Sequence, residues 1–527
     1  MPSWHSSAMD TSMLTPILQT CRRLRRIALS HISLWQTISL TPEYALPSIL
    51  LQRSCDIPLI AVIDGSSGDK VWDNLDKVDG HRMQELHLFN IGLYGIRDDI
   101  IAGIRQYFEA GFPLLESLSI SHIFMDDEEE EEDNIDIDTD ECPFPLHNVP
   151  RLRHMALQDV TFIPTNDFPH LTHLALSNID NSDYHIETAY LLSRCPNLES
   201  LSICYLHSSD LPLELPDGFP HPLTLKRLSR VTLQLPQFCD DDVAAFYLSF
   251  VPQDDAAPQP IALQILEVTV IDDVSQLGQT LFRITKGEAS HLSLSLQPHL
   301  TNDLRKSLVI SAVGPKGTFH ASTEWLRGVD FEPTVDPGES MEAFLDSILC
   351  HCAHLRAVRE VWVTGVPPLA GRLPFCNAAS HFKSIIAALP ALQTIVLVVT
   401  TVGPQLEVDL GLCPSAHDPG FASPHLKTLR IVYGTDKYTG RGPVEKTKLT
   451  NLLHQIGTGE YGYFENVILE MTQRLTVDGK DFARLRARVK NVTVRHIHSM
   501  PTMPLPEYCT EPYAGPGGSS TWHGSLW

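Results

Sequence analysis

The chain has 527 residues, of which 43% are hydrophobic, and carries 39 Lys and Arg against 64 Asp and Glu for a net charge of −25. Its length exceeds one ordinary core and predicts several modules or one elongated repeat array. The acidity argues against a polyanion such as nucleic acid as partner, and the longest apolar run, TIVLVV at 394–399, is too short to span a bilayer.

The first twelve residues, MPSWHSSAMDTS, have neither a basic nor an apolar leader segment, so no secretory signal is expected. Thr15-Pro16 reads as an N-cap followed by proline at the first helical position. Ile17, Leu18, Cys21, Leu24, Ile27 and Ala28 then recur at helical spacing and predict an amphipathic helix over 16–29. Arg22, Arg23, Arg25 and Arg26 lie largely off the apolar stripe and read as a solvated face. SLWQTISL, at 33–40, turns toward strand character.

This opening, CRRLRRIALS followed by LWQTISL, resembles the second half of the F-box motif of the expanded F-box families of mushroom-forming fungi. The usual wording there is C-R-x-W-R-x-I-A, a few residues, then L-W-x-x-I. ILLQRSCDIPLIAVI at 49–63 is similar to the helix and Pro-Leu strand that follow. The resemblance covers about 16–63. It implies a short helical hook that docks on the Skp-type adaptor of a cullin–RING ubiquitin ligase through Cys21, Arg22, Leu24, Arg25, Ile27, Ala28, Leu34, Trp35 and Ile38. Two features depart from the family. Leu24 stands where the helix has Trp, and the L-P-x-E-[LI] half does not occur in the residues before the helix. Either the motif begins upstream of Met1 or half of the hook is lost. The alternative role for this helix is to cap the open end of the domain that follows, with Leu34 and Trp35 buried against its first strands.

Beyond residue 64 one phrase keeps returning: an apolar residue, two variable ones, Leu or another apolar residue, one variable, then another apolar one. It occurs as MQELHL at 83, LESLSI at 115, LRHMAL at 152, LTHLAL at 171, LESLSI at 198, LSRVTL at 228 and LQILEV at 263. It continues as VREVWV at 358, LQTIVL at 392, LKTLRI at 426, FENVIL at 464 and VKNVTV at 489. Pro113, Pro150, Pro169, Pro196, Pro390 and Pro424 precede six of these phrases, where proline ends a helix and begins an extended segment. The pattern predicts an α/β fold, an irregular leucine-rich-repeat solenoid of parallel strands alternating with helices, over 64–498, and the resemblance implies a short helical F-box remnant before it in 1–63. DDVAAFYLSF, MEAFLDSILCHCAHLRAV and NAASHFKSIIAALP read as helices between strands. Over 269–357 the ladder is expected to be distorted, because HLSLSL, KSLVISAV and GTFHAS read as strands outside the phrase. The acidic stretch 126–141 is expected to be a disordered insertion, and 499–527, rich in Pro, Gly and Ser, a loose tail.

In each phrase positions one, four and six point to the core, and position five with its flanks points to the opposite face. That face predicts a target-binding stripe of Glu85, His87, Phe89, Ser117, Ser119, His154, Ala156, His173, Ala175, Ser200, Ser202, Glu267, Thr394, Val396, Val398, Thr428 and Arg430. Its mixed character suits a protein or peptide better than a small molecule. Segments of this same chain lying over part of the stripe are the competing expectation.

Chemical motifs are sparse. GTGEYG at 457–462 follows a helical stretch and precedes a strand, the reverse of the order that dinucleotide binding needs. CHCAH at 350–354 has no second ligand pair at zinc spacing. The 11 cysteines lack paired spacing, which predicts reduced thiols and a cytoplasmic or nuclear location. The sequence therefore predicts a non-catalytic protein with no cofactor, no metal, no nucleic acid and no membrane. It is expected to bind an unidentified protein target, either as a ligase receptor or as a scaffold that no longer meets the adaptor.

Overall fold

The computed structural model describes residues 21–40, 51–64, 80–89, 111–123, 148–160, 163–179, 184–204, 225–234, 260–266, 288–298, 305–326, 355–364, 376–400, 423–434, 461–472 and 479–503, with single gaps and a few isolated positions besides. Thr15-Pro16, the acidic stretch 126–141, His351–His354 and Glu267 lie outside them.

Two compact units divide the chain, one built mainly from Met1–Leu235 and the other from Gln259–Tyr513. In the first, eight strands follow one another in chain order: β1 (Thr37–Leu40), β2 (Leu59–Asp64), β3 (Met83–Phe89), β4 (Ser117–Ile123), β5 (His154–Val160), β6 (His173–Ile179), β7 (Ser200–Cys204) and β8 (Arg230–Gln234). Each is parallel to the next. Chain-order parallel pairing leaves one row of side chains per repeat position. Leu86, Leu118, Met155, Leu174, Leu201 and Val231 form one buried core row, and Leu88, Ile120, Leu157, Leu176, Ile203 and Leu233 the next. The period of the phrase thus becomes the geometry of the core.

The second unit holds β9 (Ile261–Leu266), β10 (His291–Pro298), β11 (Arg305–Val313), β12 (Gly317–Leu326), β13 (Glu360–Thr364), β14 (Thr394–Thr400), β15 (Thr428–Gly434), β16 (Asn466–Met471) and β17 (Asn491–His496). β13 to β17 continue the parallel pattern in chain order. The expected distortion is an inserted antiparallel meander. β9 pairs with β12, β12 with β11, β11 with β10, and β10 is parallel to β13. The phrase at 263 is out of phase: its strand begins two residues before Leu263, whereas β4 to β8 and β13 to β17 begin two residues after the first apolar residue of their phrases and β3 begins on Met83 itself.

Among the described residues, α1 (Arg22–Ser30) precedes β1, and α2 (Tyr184–Ser193), α3 (Cys376–Ala387) and α4 (Gly479–Arg488) lie between strands. None is long and apolar enough to cross a membrane. α1 begins later than the spacing predicted. Cys21 is its N-cap, extended at φ −125°, and its Sγ accepts from the Leu24 N–H at 3.5 Å.

The prolines do more than end helices. Phe112-Pro113, Val149-Pro150, Phe168-Pro169, Cys195-Pro196 and Leu389-Pro390 each open a four-residue turn. It is closed by the N–H of Leu115, Leu152, Leu171, Leu198 or Leu392 onto the first carbonyl, at 3.1–3.4 Å. Proline suits the second position of such a turn because its φ is already set. The next residue's carbonyl takes two successive N–H groups from the following repeat. Glu116 O accepts from Arg153 and His154, Arg153 O from Thr172 and His173, Arg359 O from Gln393 and Thr394, and Lys427 O from Glu465 and Asn466. This forked bond repeats in both units and fixes the register at the entry of β5 to β8 and of β13 to β16.

Candidate functional site

Three surfaces carry the residues singled out in the sequence. On α1 the apolar stripe does not cap the ladder: Leu24 and Ile27 are each 46% exposed, Leu29 and Ile32 are exposed too, and of the helix only Ala28 is buried. Cys21, Arg22 and Arg25 are exposed as well. Trp35 instead turns inward. It is 3% exposed, its Nε1 donates to Ala28 O at 3.1 Å, and the Arg53 guanidinium lies 4.6 Å from the ring centre. Ile38 is fully buried and Leu34 half-buried. The predicted adaptor set therefore separates into an exposed group (Cys21, Arg22, Leu24, Arg25, Ile27) and an anchoring group. Ala28, Trp35 and Ile38 belong to the anchors and are not available to a partner.

The second surface is the non-core face of β3–β8. Glu85, Ser117, His154, His173, Ser200 and Arg230 stand in one row, and His87, Ser119, Ala156, Ala175, Ser202 and Thr232 in the next. The stripe is thus real as a row of neighbours, but it is not uniformly open. Ser117, Ser119, Ser121, Ala156 and Ala175 are buried, so the expectation that Ser117 and Ser119 meet a target directly is corrected. Their hydroxyls, Ser117 Oγ and Ser119 Oγ, have no hydrogen-bond partner among the described residues. The half-exposed members are Glu85, His87, Phe89, His154, His173, Ser200 and Ser202. The His154 and His173 rings lie 4.7 Å apart, and burial, then the charge of His173 and Arg153, holds His154 down at about 4. His87 Nε2 is 3.5 Å from Glu85 Oε2.

At the entry end of these strands a recess of about 400 Å³ is lined by Glu116, Arg151, Arg153, His170, Asn197 and Arg227, among others. Three guanidiniums around one carboxylate can receive an anionic group of a partner. Sequence reading missed it because the residues come from five successive repeats. Also missed was a side-chain pair at the exits of β5 and β6. Asp159 and Asn178 both have φ near 50°, and the Asn178 amide donates to the Asp159 carboxylate. Asp and Asn tolerate this left-handed conformation best. Their common phase in two repeats 19 residues apart was a readable signal.

The third surface is the non-core face of β13–β16. Trp362, Val396, Val398 and Val432 form a buried cluster on it, against which Ile497, Met500 and Met503 pack. Val396 is therefore covered, contrary to its expected contact with a target, and the competing expectation of self-coverage holds here. Beside the cluster, Arg430 Nε and Nη2 donate to Glu470 Oε2 at 3.0 and 2.7 Å, and its guanidinium lies 5.2 Å from the Trp362 ring centre. Trp362 Nε1 donates to Glu360 Oε1 at 2.6 Å. Thr394 and Thr428 stand in the row before, and Asn466 bridges from Thr428 to Asn491.

Reactive arrangements are not assembled among the described residues. No three His, Cys, Asp or Glu are gathered to hold a metal ion. Burial, with Asp167 nearby, pushes the Cys195 thiol up to about 12, which makes it core filling rather than a nucleophile. GTGEYG leads into the Tyr461–Phe464 turn before β16. What these surfaces offer is contact: an exposed apolar helix face, a polar histidine-bearing sheet face and a covered apolar one. No protein-family model matches the chain, and no curated protein matches it.

Proposed function

We propose that this chain is a non-catalytic protein-binding repeat protein of leucine-rich-repeat type, acting as the substrate receptor of an SCF-type cullin–RING ubiquitin ligase. The observation that carries the reading is the exposed apolar pair Leu24 and Ile27 on α1, beside the inward anchors Trp35 and Ile38. An apolar helix face held out by a buried indole is suited to dock on another protein. It coincides with the stretch that resembles the F-box. The face bearing His87, His154, His173 and Ser202, with the basic recess at its rim, is assigned to the target. Chain-order parallel strands with a repeated turn and forked bond support the repeat reading.

The test is capture of a fungal Skp-type adaptor by the purified chain. The L24D/I27D variant is expected to lose capture by at least tenfold while its melting temperature stays within about 2 °C, since exposed positions contribute little to stability. If the wild-type chain fails to capture the adaptor, the ligase role falls and the scaffold reading stands.

A further inference from the structure

We infer that the non-core face of β13–β15 is a second protein-binding groove for an extended peptide with aliphatic or methionine anchors, and that the segment Ile497–Met503 is its built-in, displaceable occupant. The inference deepens the reading of the repeat faces as protein-binding surfaces and does not depend on the ligase adaptor.

The floor of the groove is Trp362, Val396, Val398 and Val432, all buried on the face opposite the core. In an ordinary half-solvated sheet, polar residues would stand here. Four apolar neighbours on adjacent strands make a patch that requires a cover. The cover is the chain's own segment. After β17 the Ile497 N–H bonds Met471 O at 2.9 Å, the chain bends at His498–Ser499, and Met500 and Met503 reach the cluster. Its seat is shaped for it. A Cβ on Gly434, at the end of β15, would lie 2.5 Å from both the Met500 sulfur and Thr472 Oγ1, so only a glycine leaves room there for the thioether beside Thr472.

The mode of attachment makes the cover displaceable. Past Ile497, the described residues of the segment make no hydrogen bond or ion pair; Ile497, Met500 and Met503 are held by packing and are only half-buried. Trp362 and Arg430 are meanwhile satisfied without it: Trp362 bonds Glu360, and Arg430 bonds Glu470. Removing the segment therefore strands no buried polar atom of these four and exposes only apolar surface. A peptide of similar anchors would replace it like for like, and methionine's flexible, polarisable chain suits such exchange. Because the occupant is tethered, its effective concentration is in the millimolar range, so a free peptide must outcompete it.

The test uses a fluorescent synthetic peptide with the sequence of residues 495–506, titrated into the full-length chain and followed by anisotropy. Wild type is expected to bind weakly, and the full-length M500D/M503D variant at least tenfold more tightly. Adding W362A to that variant is expected to abolish binding. The single substitution M503D, at a half-buried anchor, is the companion variant and must shift affinity in the same direction. Equal affinity for wild type and both opened variants, or binding indifferent to W362A, overturns the proposal. So does peptide-dependent dimerisation of wild type with no gain in the opened variants, which would mark an exchanged tail rather than a groove for another protein. Adaptor capture by the same variants separates the two readings: the ligase role can fail while the groove stands, and the reverse.

Discussion

Trp35 shows how one residue can decide between two readings of the same motif. In the F-box resemblance it is a docking residue, and in the capping reading it is core. Its indole is buried, bonded to Ala28 O, and covered by Arg53, so it holds α1 to the first strands. Trp35→Ala is expected to cost about 3–5 kcal/mol in chemical denaturation, the usual range for an emptied large aromatic site. Wild-type stability in that variant would show the ring to be dispensable. A second residue-scale consequence concerns protons. His185 is buried between Tyr184, Phe246 and Tyr247, its Nδ1 lies 3.2 Å from the Tyr247 hydroxyl, and burial lowers it from 6.5 to about 4. The folded chain therefore keeps this ring neutral where the unfolded chain takes up a proton. Stability from this source is complete above about pH 6.5, falls as the pH drops from there toward 4, and changes no further below. At about 1.4 kcal/mol per unit, a fully realised shift of this size contributes about 3 kcal/mol. His154 adds less because its ring is half-exposed. Denaturation midpoints between pH 7 and 4 are expected to fall less steeply in His185→Asn than in wild type, and equal slopes would contradict the assignment.

At the scale of elements, the strands were legible and their surroundings were not. A phrase such as LTHLAL specifies a strand because alternation at period two and a buried leucine at each core position reinforce each other, and Leu174 and Leu176 sit where the pattern puts them. The same alternation says nothing about what lies on the other side. Ser119 and Val396 occupy equivalent rows, yet both are buried, which no local pattern reports. The phrase at 263 matched in composition and failed in phase, because Ile261-Ala262-Leu263 alternates equally well two residues earlier and pairing with β12 selects that register. β10, β11 and β12 were readable as strands, but their antiparallel order was not, since pairing direction depends on partners distant in sequence. α1 was readable as a helix with an apolar stripe. That Leu24 and Ile27 remain exposed while only Ala28 is buried depends on how far the ladder reaches beneath it. Glu470 is the sharpest gap between pattern and structure. A glutamate in a strand reads as solvated, but it is buried and held by Arg430, with Arg495 Nη1 3.9 Å from its other oxygen. Those partners come from β15 and β17, on either side of its own strand.

The molecule as a whole is organised by neighbours. In the described strands, each core row passes from one repeat to the next, and each forked carbonyl ties only adjacent turns. Stability in such an array is close to a sum of repeat terms and interface terms, and a local defect spreads through interfaces rather than through one shared core. Leu176 makes this measurable. It is fully buried in β6, between Leu157 of β5 and Ile203 of β7 in the pairing register. Leu176→Ala removes three carbons from the middle of a row and is expected to cost about 2–5 kcal/mol. In a single cooperative globule, amide exchange would accelerate everywhere by the same factor. In a neighbour-coupled array it is expected to accelerate most in β5, β6 and β7, less in β4 and β8, and not measurably in β14 to β16, which belong to the other compact unit. Hydrogen exchange read by mass spectrometry over peptides from 154–204 and 394–471 separates the cases. Uniform acceleration across both regions would show that the repeats fold as one unit, and the neighbour account would then fail.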